Sequence, residues 1–156
     1  MISTKELLNA EDALDILKQR LDLSNIRMKL ADPEEGKGYS QDRLDLMEAE
    51  YRRFLAMHLA FPEMEVVPCG IVDEMWHNHI LDTIAYRADC DALFGKFLDH
   101  FPYFGLRGPT DAVALSDAYE KTLETYIRCF GAPPDGTWIA EDIRTCRTKC
   151  KPMKCK

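Results

Sequence analysis

The four histidines are the residues of this chain best suited to bind a metal ion or to transfer a proton near neutral pH. Two of them, His77 and His79, follow Trp76 inside an apolar run. Ligands on one helix are usually four positions apart, and Asp73 has this spacing from His77. The spacing therefore predicts a candidate metal site of Asp73 and His77 with a histidine from elsewhere, such as His100, and with His79 if the helix is distorted.

Helical geometry sets a limit on this metal hypothesis. Residues two positions apart on a helix point about 200° away from each other, so an intact helix cannot direct both His77 and His79 at one ion. The helical wheel places His79 within the apolar face and His77 at its edge. We therefore favour structural roles for both, with His79 hydrogen-bonded in the core to a tyrosine hydroxyl or a carbonyl. An alternative role for Asp73 is to orient His77. Acid–base catalysis by His77 with Asp73 or Asp82 is a weaker alternative, because no nucleophile stands near them in sequence, and no catalytic residue is assigned.

A second group of reactive residues lies at the end of the chain, where Cys146, Cys150 and Cys155 fall within the last eleven residues. Thiolates are soft ligands that suit Cu(I) or Zn(II), and nearby positive charges favour the thiolate form. The segment also has the layout of a modified-peptide precursor, in which enzymes would act on these cysteines. Disulfides and an unstructured basic tail with incidental cysteines are the remaining alternatives. The other three cysteines sit singly among apolar residues and are predicted to be buried, inert thiols: Cys69, Cys90 and Cys129.

The net charge changes sign close to the start of this cysteine-rich segment, at residue 143. Residues 1–142 contain all 27 acidic residues and 14 of the 20 lysines and arginines, for a net charge of −13, whereas residues 143–156 carry +6. We therefore predict an acidic helical domain over 1–142 and a basic, cysteine-rich tail over 143–156. Nucleic acid is a disfavoured partner, because the acidic body would repel phosphate and the tail has no interleaved aromatic residues. The sequence has no long apolar run and no signal-like start, which predicts no membrane contact and a cytoplasmic location.

The apolar residues recur at helical spacing along most of the chain. Ser3 and Glu6 form a capping-box pattern that predicts a first helix ending near Leu23. The other predicted helices begin at Ser40 and end before Pro62, extend from about Ile71 to Leu98, begin at Pro109 and end at Gly131, and cover about Trp138–Thr145. No strand alternation is evident. The sequence therefore predicts an all-α, compact single-domain bundle of four to six helices with a short C-terminal tail.

Several of these segments together resemble the glycine-rich domain-containing protein-like family. The resemblance covers about residues 40–130 and is carried by Glu50–Leu55, Val67-Pro68, Val72–Thr83, Phe94-Gly95 and His100–Gly105. It implies a small helical domain with these residues at signature positions: Trp76, His77, His79, Asp82, Tyr86, Cys90 and His100. It implies no established activity. The resemblance also implies a Gly- or Cys-rich C-terminal segment. The tail of this chain contains cysteines but no glycine, and this departure from the family pattern leaves the role of the tail open.

The leading functional prediction from the sequence is a non-enzymatic helical carrier domain. Its tail would be modified after translation or would bind a soft transition metal. The implied partners are a peptide-modifying enzyme or a metal-handling protein. One alternative is a metal-dependent enzyme with a His/Asp site on the central helix. Another is a protein-interaction module whose acidic body binds a basic partner.

Overall fold

The computed structural model describes residues 8–139, and these residues form six helices and no strand. The helices are α1 (Ala10–Arg20), α2 (Ser24–Ala31), α3 (Gln41–Ala60), α4 (Gly70–Leu81), α5 (Thr83–Phe94) and α6 (Pro109–Phe130). The all-α prediction is confirmed for the described residues, at the upper limit of four to six helices. No helix between residues 8 and 139 is long and apolar enough to cross a bilayer.

The central helix of the bundle is α3, which packs most extensively against α1 and α4. It begins where the Ser40 hydroxyl accepts a hydrogen bond from the Arg43 backbone N–H, and its last residue, Ala60, lies two positions before Pro62. Its inward stripe is fully buried: Leu44, Met47, Tyr51, Phe54, Leu55 and Met57. Tyr51 and Phe54 of this stripe pack against His79 and Trp76 of α4.

The predicted central helix from Ile71 to Leu98 is wrong, because the chain breaks at Asp82 into α4 and α5. The backbone of Asp82 leaves the helical region, at φ −81° and ψ 74°, and its carboxylate accepts a hydrogen bond from the Ala85 N–H, 3.2 Å away. Aspartate competes in this way with the helical hydrogen-bond pattern and starts a new helix. Gly95, at φ 66°, then ends α5 in the left-handed conformation that favours glycine.

Other predicted elements also differ from the structure, including the first helix, which ends at Arg20 and not near Leu23. The short α2 was not predicted, because only Ile26 and Leu30 of its eight residues are buried and its apolar pattern is weak. Trp138 is not helical as predicted but lies in a bend with φ 52°. The predicted cap at Ser3, the remainder of the predicted last helix and the predicted division at residue 143 lie outside the described residues.

Candidate metal centre

Three side chains that are distant in sequence converge at one point of the bundle. Asp73 lies in the first turn of α4, His77 lies one turn later on the same face, and His100 belongs to the loop after α5. The His77 and His100 Nε2 atoms are 2.9 Å apart, and the Asp73 Oδ1 atom is 2.9 Å from the His100 Nε2 and 3.4 Å from the His77 Nε2. These residues form the one group within 8–139 whose His, Cys, Asp or Glu ligand atoms could jointly hold a metal ion.

The three distances fit coordination of a single ion. A circle through the three atoms has a radius of about 1.8 Å, which is shorter than the zinc–nitrogen bond of about 2.0–2.1 Å. An ion could therefore contact all three atoms from about 1 Å outside their plane. Two imidazoles and one carboxylate suit Zn(II), Fe(II) and similar divalent ions.

The burial of these side chains favours the protonation state that binds a metal ion. The Asp73 side chain is 7% exposed and that of His100 is 15% exposed, so both lie in a poorly solvated environment. Burial is the largest influence on the pKa of His77 and lowers it, although the Asp73 carboxylate acts in the opposite direction. The lowered pKa favours the neutral imidazole, which is the form that binds metal.

A chain of hydrogen bonds from α4 holds the His100 loop in place. The Trp76 indole N–H donates to the Tyr86 hydroxyl, at 2.9 Å, and the Tyr86 hydroxyl donates to the Leu98 carbonyl, at 2.5 Å. The Trp76 ring also packs against the His100 imidazole, with ring centroids 4.5 Å apart. Burial raises the pKa of Tyr86, which keeps this hydroxyl protonated as a donor. Trp76 and Tyr86 are therefore positioning residues for His100.

The fourth predicted candidate, His79, lies elsewhere, in the core as the helical wheel indicated. It is 3% exposed, its Nδ1 is 2.7 Å from the Tyr51 hydroxyl, and its Nε2 is 2.8 Å from Asp89 Oδ2. The predicted hydrogen bond to a tyrosine hydroxyl is confirmed. Because both ring nitrogens already have partners, His79 is not available to the Asp73 cluster.

A cavity of about 610 Å³ adjoins the cluster, and Asp73 and His100 form part of its wall. The rest of the wall is mainly apolar and comes from the loop after α3, the loop after α5 and the start of α6; it includes Val66, Phe104 and Leu115. Ligand sites commonly combine an apolar cavity of this size with a few polar groups. The cavity could not be predicted from the sequence, because its walls come from segments that are separate in the chain.

His58 of α3 also lines this cavity. Its Nε2 is closed to solvent and has no hydrogen-bond partner among the described residues. Desolvation, with a smaller contribution from the Lys96 charge, lowers the pKa of His58 to about 4. The imidazole is therefore neutral at physiological pH.

Three of the six cysteines lie within residues 8–139. Cys69 and Cys90 are buried, as predicted, whereas Cys129 is only partly buried. The predicted tail sites Cys146, Cys150 and Cys155 lie outside the described residues, so their modification or metal binding remains a prediction.

The fold and the site define a class of all-helical proteins with a cluster of two histidines and one carboxylate between a helix and a loop. The sequence model of the UCP032817-like family matches residues 22–121, which is more than half of the chain. The chain therefore belongs to the UCP032817-like family, and the predicted membership of the glycine-rich domain-containing family is wrong. The motifs behind that prediction, from Glu50 to Gly105, fall within the matched segment. No curated protein and no solved structure matches the chain.

Proposed function

We propose that this protein is a metal-dependent helical domain in which Asp73, His77 and His100 bind one divalent transition-metal ion. The observation that supports the proposal is the convergence of three ligand atoms within 3.4 Å of one another. A structural zinc site usually supplies four protein ligands, whereas a catalytic site supplies three and leaves a position for water or substrate. Three protein ligands beside a cavity therefore support the enzyme alternative more than the carrier alternative.

The test is metal binding by the full chain after treatment with a chelator and dialysis. We expect one equivalent of Zn(II) or Co(II) to bind, measured by calorimetry and by competition with a chromophoric chelator. His77→Ala and Asp73→Asn should each weaken binding at least tenfold, because each removes one of three ligands. The matched control is Asp91→Asn, which changes an exposed aspartate of α5 and should leave affinity unchanged. Equal affinity in His77→Ala and the wild type would reject the proposal.

The proposal for the tail stands separately and rests on the division of charge and cysteine at residue 143. In this proposal, Cys146, Cys150 and Cys155 are modified by a partner enzyme or bind a soft metal such as Cu(I). Intact-protein mass spectrometry and a metal assay, both on protein from its native host, test the two forms. A tail that is neither modified nor metal-bound in native protein would exclude both.

A further inference from the structure

We infer that the outer face of α5 pairs with the same face of a second copy of this chain, so that the protein forms a symmetric dimer in solution. The face contains a shallow groove lined by Ile84, Arg87, Ala88, Asp91 and Phe97. None of these residues belongs to the proposed metal site, so the inference is independent of the proposed function.

Helix α5 is apolar on both of its sides. Its inner side is buried in the core through Tyr86 and Cys90. Its outer side carries Ile84, which is 82% exposed, followed at intervals of four residues by Ala88 and Ala92, which are also exposed. A surface helix ordinarily presents charged and polar residues to water, whereas a helix that is apolar on both sides is typically covered on both.

Two features of the groove suit it to receive another helix. Residues four positions apart form the ridges that most often interdigitate between packed helices, and the outer row of α5 has this spacing. Phe97 lies beside the row in the same groove and is 52% exposed, so it adds apolar surface to the face.

Two opposite charges, Arg87 and Asp91, lie along one flank of the apolar row. They are one helical turn apart and both exposed, but neither forms an ion pair within residues 8–139. A cation four residues before an anion is the less favourable order for a pair within one helix. Both side chains are therefore available to a surface that offers one charge of each sign.

A second copy of α5 in antiparallel orientation is such a surface. In a symmetric antiparallel pair, positions at equal distances from the two-fold axis lie opposite each other. Positions 87 and 91 are each about 3 Å from the level of position 89, given a rise of about 1.5 Å per residue. An axis at that level places Arg87 of each copy opposite Asp91 of the other, on the same flank, and so forms two ion pairs.

The same register fits the apolar row. With the axis at the level of position 89, Ala92 of the second copy lies at the level of position 86, midway between Ile84 and Ala88. The two rows therefore interdigitate. In a parallel pair, the charged flanks would lie on opposite sides of the interface and the charges would not meet. Charge and packing thus indicate the same antiparallel dimer.

The expected dimer is weak. A stable interface of standard size buries about 800 Å² on each partner, which is more than one face of a 12-residue helix provides. The formal charge of −7 on each chain also opposes association. We therefore expect a Kd on the order of 100 µM, so that the dimer forms only in concentrated solution.

The experiment is sedimentation equilibrium of the full chain between 10 µM and 1 mM. A chelator and a reductant are present, so that neither a metal ion nor a disulfide links two chains. We expect a monomer–dimer equilibrium that Ile84→Asp weakens at least tenfold, because the variant places a carboxylate from each copy in the apolar row. The matched control is Val113→Asp, at an aliphatic position of α6 that is 60% exposed, which should leave the Kd unchanged.

Charge reversals test the antiparallel register. Arg87→Asp brings two carboxylates together at each end of the pair, and Asp91→Arg brings two guanidinium groups together. Each single variant should weaken the dimer at least fivefold, because like charges then meet. The double variant Arg87→Asp/Asp91→Arg should return the Kd to within twofold of the wild type, since the ion pairs re-form with exchanged partners. Circular dichroism confirms that each variant is folded.

Three outcomes would overturn the inference. A monomer at 1 mM would exclude the second copy and would leave the face to a different protein. Equal association of Ile84→Asp and the wild type would place any dimer contact elsewhere. A double reversal that associates no better than either single one would reject the antiparallel register. Because these measurements are made in a chelator, failure of the proposed metal site leaves their result unaffected.

Discussion

The Nε2 atoms of His77 and His100 lie 2.9 Å apart, although 23 positions separate the two residues in the chain. The break at Asp82 and the turn at Gly95 return the chain to the face of α4 that carries His77. Asp73, one turn before His77 on α4, completes the cluster. The metal hypothesis for α4 therefore depends on a residue that the helix itself does not contain.

Metal binding should stabilise the folded chain. A ligand that binds only the folded state at 100 times its Kd adds about 2.7 kcal/mol, which corresponds to a rise in Tm of roughly 5–11 °C for a chain of this size. Asp73→Asn should reduce the rise to about half or less, because affinity falls at least tenfold, and Asp91→Asn should retain it. Thermal unfolding followed by circular dichroism, with Zn(II) or with a chelator, measures the difference. An equal rise in Asp73→Asn would place the stabilising ion elsewhere.

The hydrogen bonds of His79 should contribute to stability and not to metal binding. His79→Ala leaves the fully buried Tyr51 hydroxyl without this partner and opens space in the core, so we expect a loss of about 2–4 kcal/mol in the free energy of unfolding. Urea denaturation measures the loss. Tyr51→Phe should cost less in the His79→Ala background than in the wild type, since the shared bond is already gone. Metal affinity should remain within twofold of the wild type.

The sequence predicted those features that depend on local chemistry. The Ser40 cap, the end of α3 before Pro62 and the boundaries of α6 at Pro109 and Gly131 follow from side-chain and backbone preferences of a few neighbouring residues. The placement of His79 in the core followed from its position on the apolar face. These signals act within one or two turns, so a single sequence contains them.

Other features depend on contacts between distant segments. The break at Asp82 was not predicted, because the apolar pattern continues through it to Tyr86 and Cys90, and its capping bond forms only once the chain bends. His100 was named as one candidate partner for His77, but the sequence could not show that the loop returns to α4. The cavity was missed for the same reason, as its walls come from three separate segments.

A buried carboxylate joins α3 to α6 and to the end of the described chain. Glu50 is fully buried, accepts hydrogen bonds from the Tyr126 hydroxyl at 2.7 Å and the Trp138 indole at 2.9 Å, and pairs with Arg53 at 2.6 Å. Glu50→Gln removes the negative charge that pairs with Arg53. It also places an amide NH₂, which is a hydrogen-bond donor, next to the Tyr126 and Trp138 groups that already donate to this position. We expect a loss of roughly 2–4 kcal/mol in the free energy of unfolding.

Chemical denaturation measures the effect of Glu50→Gln. The matched control is Glu124→Gln, an exposed position on α6, which should change stability by less than about 0.5 kcal/mol. Similar small effects for both substitutions would show that the Glu50 network contributes little to stability.

His58 should make the metal-free protein sensitive to acid. Its pKa falls from about 6.5 in the unfolded chain to about 4 in the folded state, so the unfolded state binds more protons between these values. The stability contribution is therefore complete above pH 6.5 and is lost as the pH falls towards 4. The loss from this one group is about 2–3 kcal/mol. Denaturation at pH 7.0 and pH 4.5, in a chelator, measures it.

His58→Phe removes the titrating group and should flatten this part of the pH profile. The difference in free energy of unfolding between pH 7.0 and pH 4.5 should be smaller in the variant by about 2 kcal/mol. A profile that is parallel to that of the wild type would assign the acid sensitivity to other groups.

The two tryptophans lie in different regions of the molecule, so the fluorescence of each one reports on its own region. Trp76 packs against His100 at the proposed metal centre, whereas Trp138 donates a hydrogen bond to Glu50, one residue before the end of the described chain. A paramagnetic ion at the centre would quench the emission of Trp76, and a force or modification that acts on the C-terminal segment would change that of Trp138. Single Trp→Phe substitutions would thus give the natural chain two independent optical reporters, one for each proposed function.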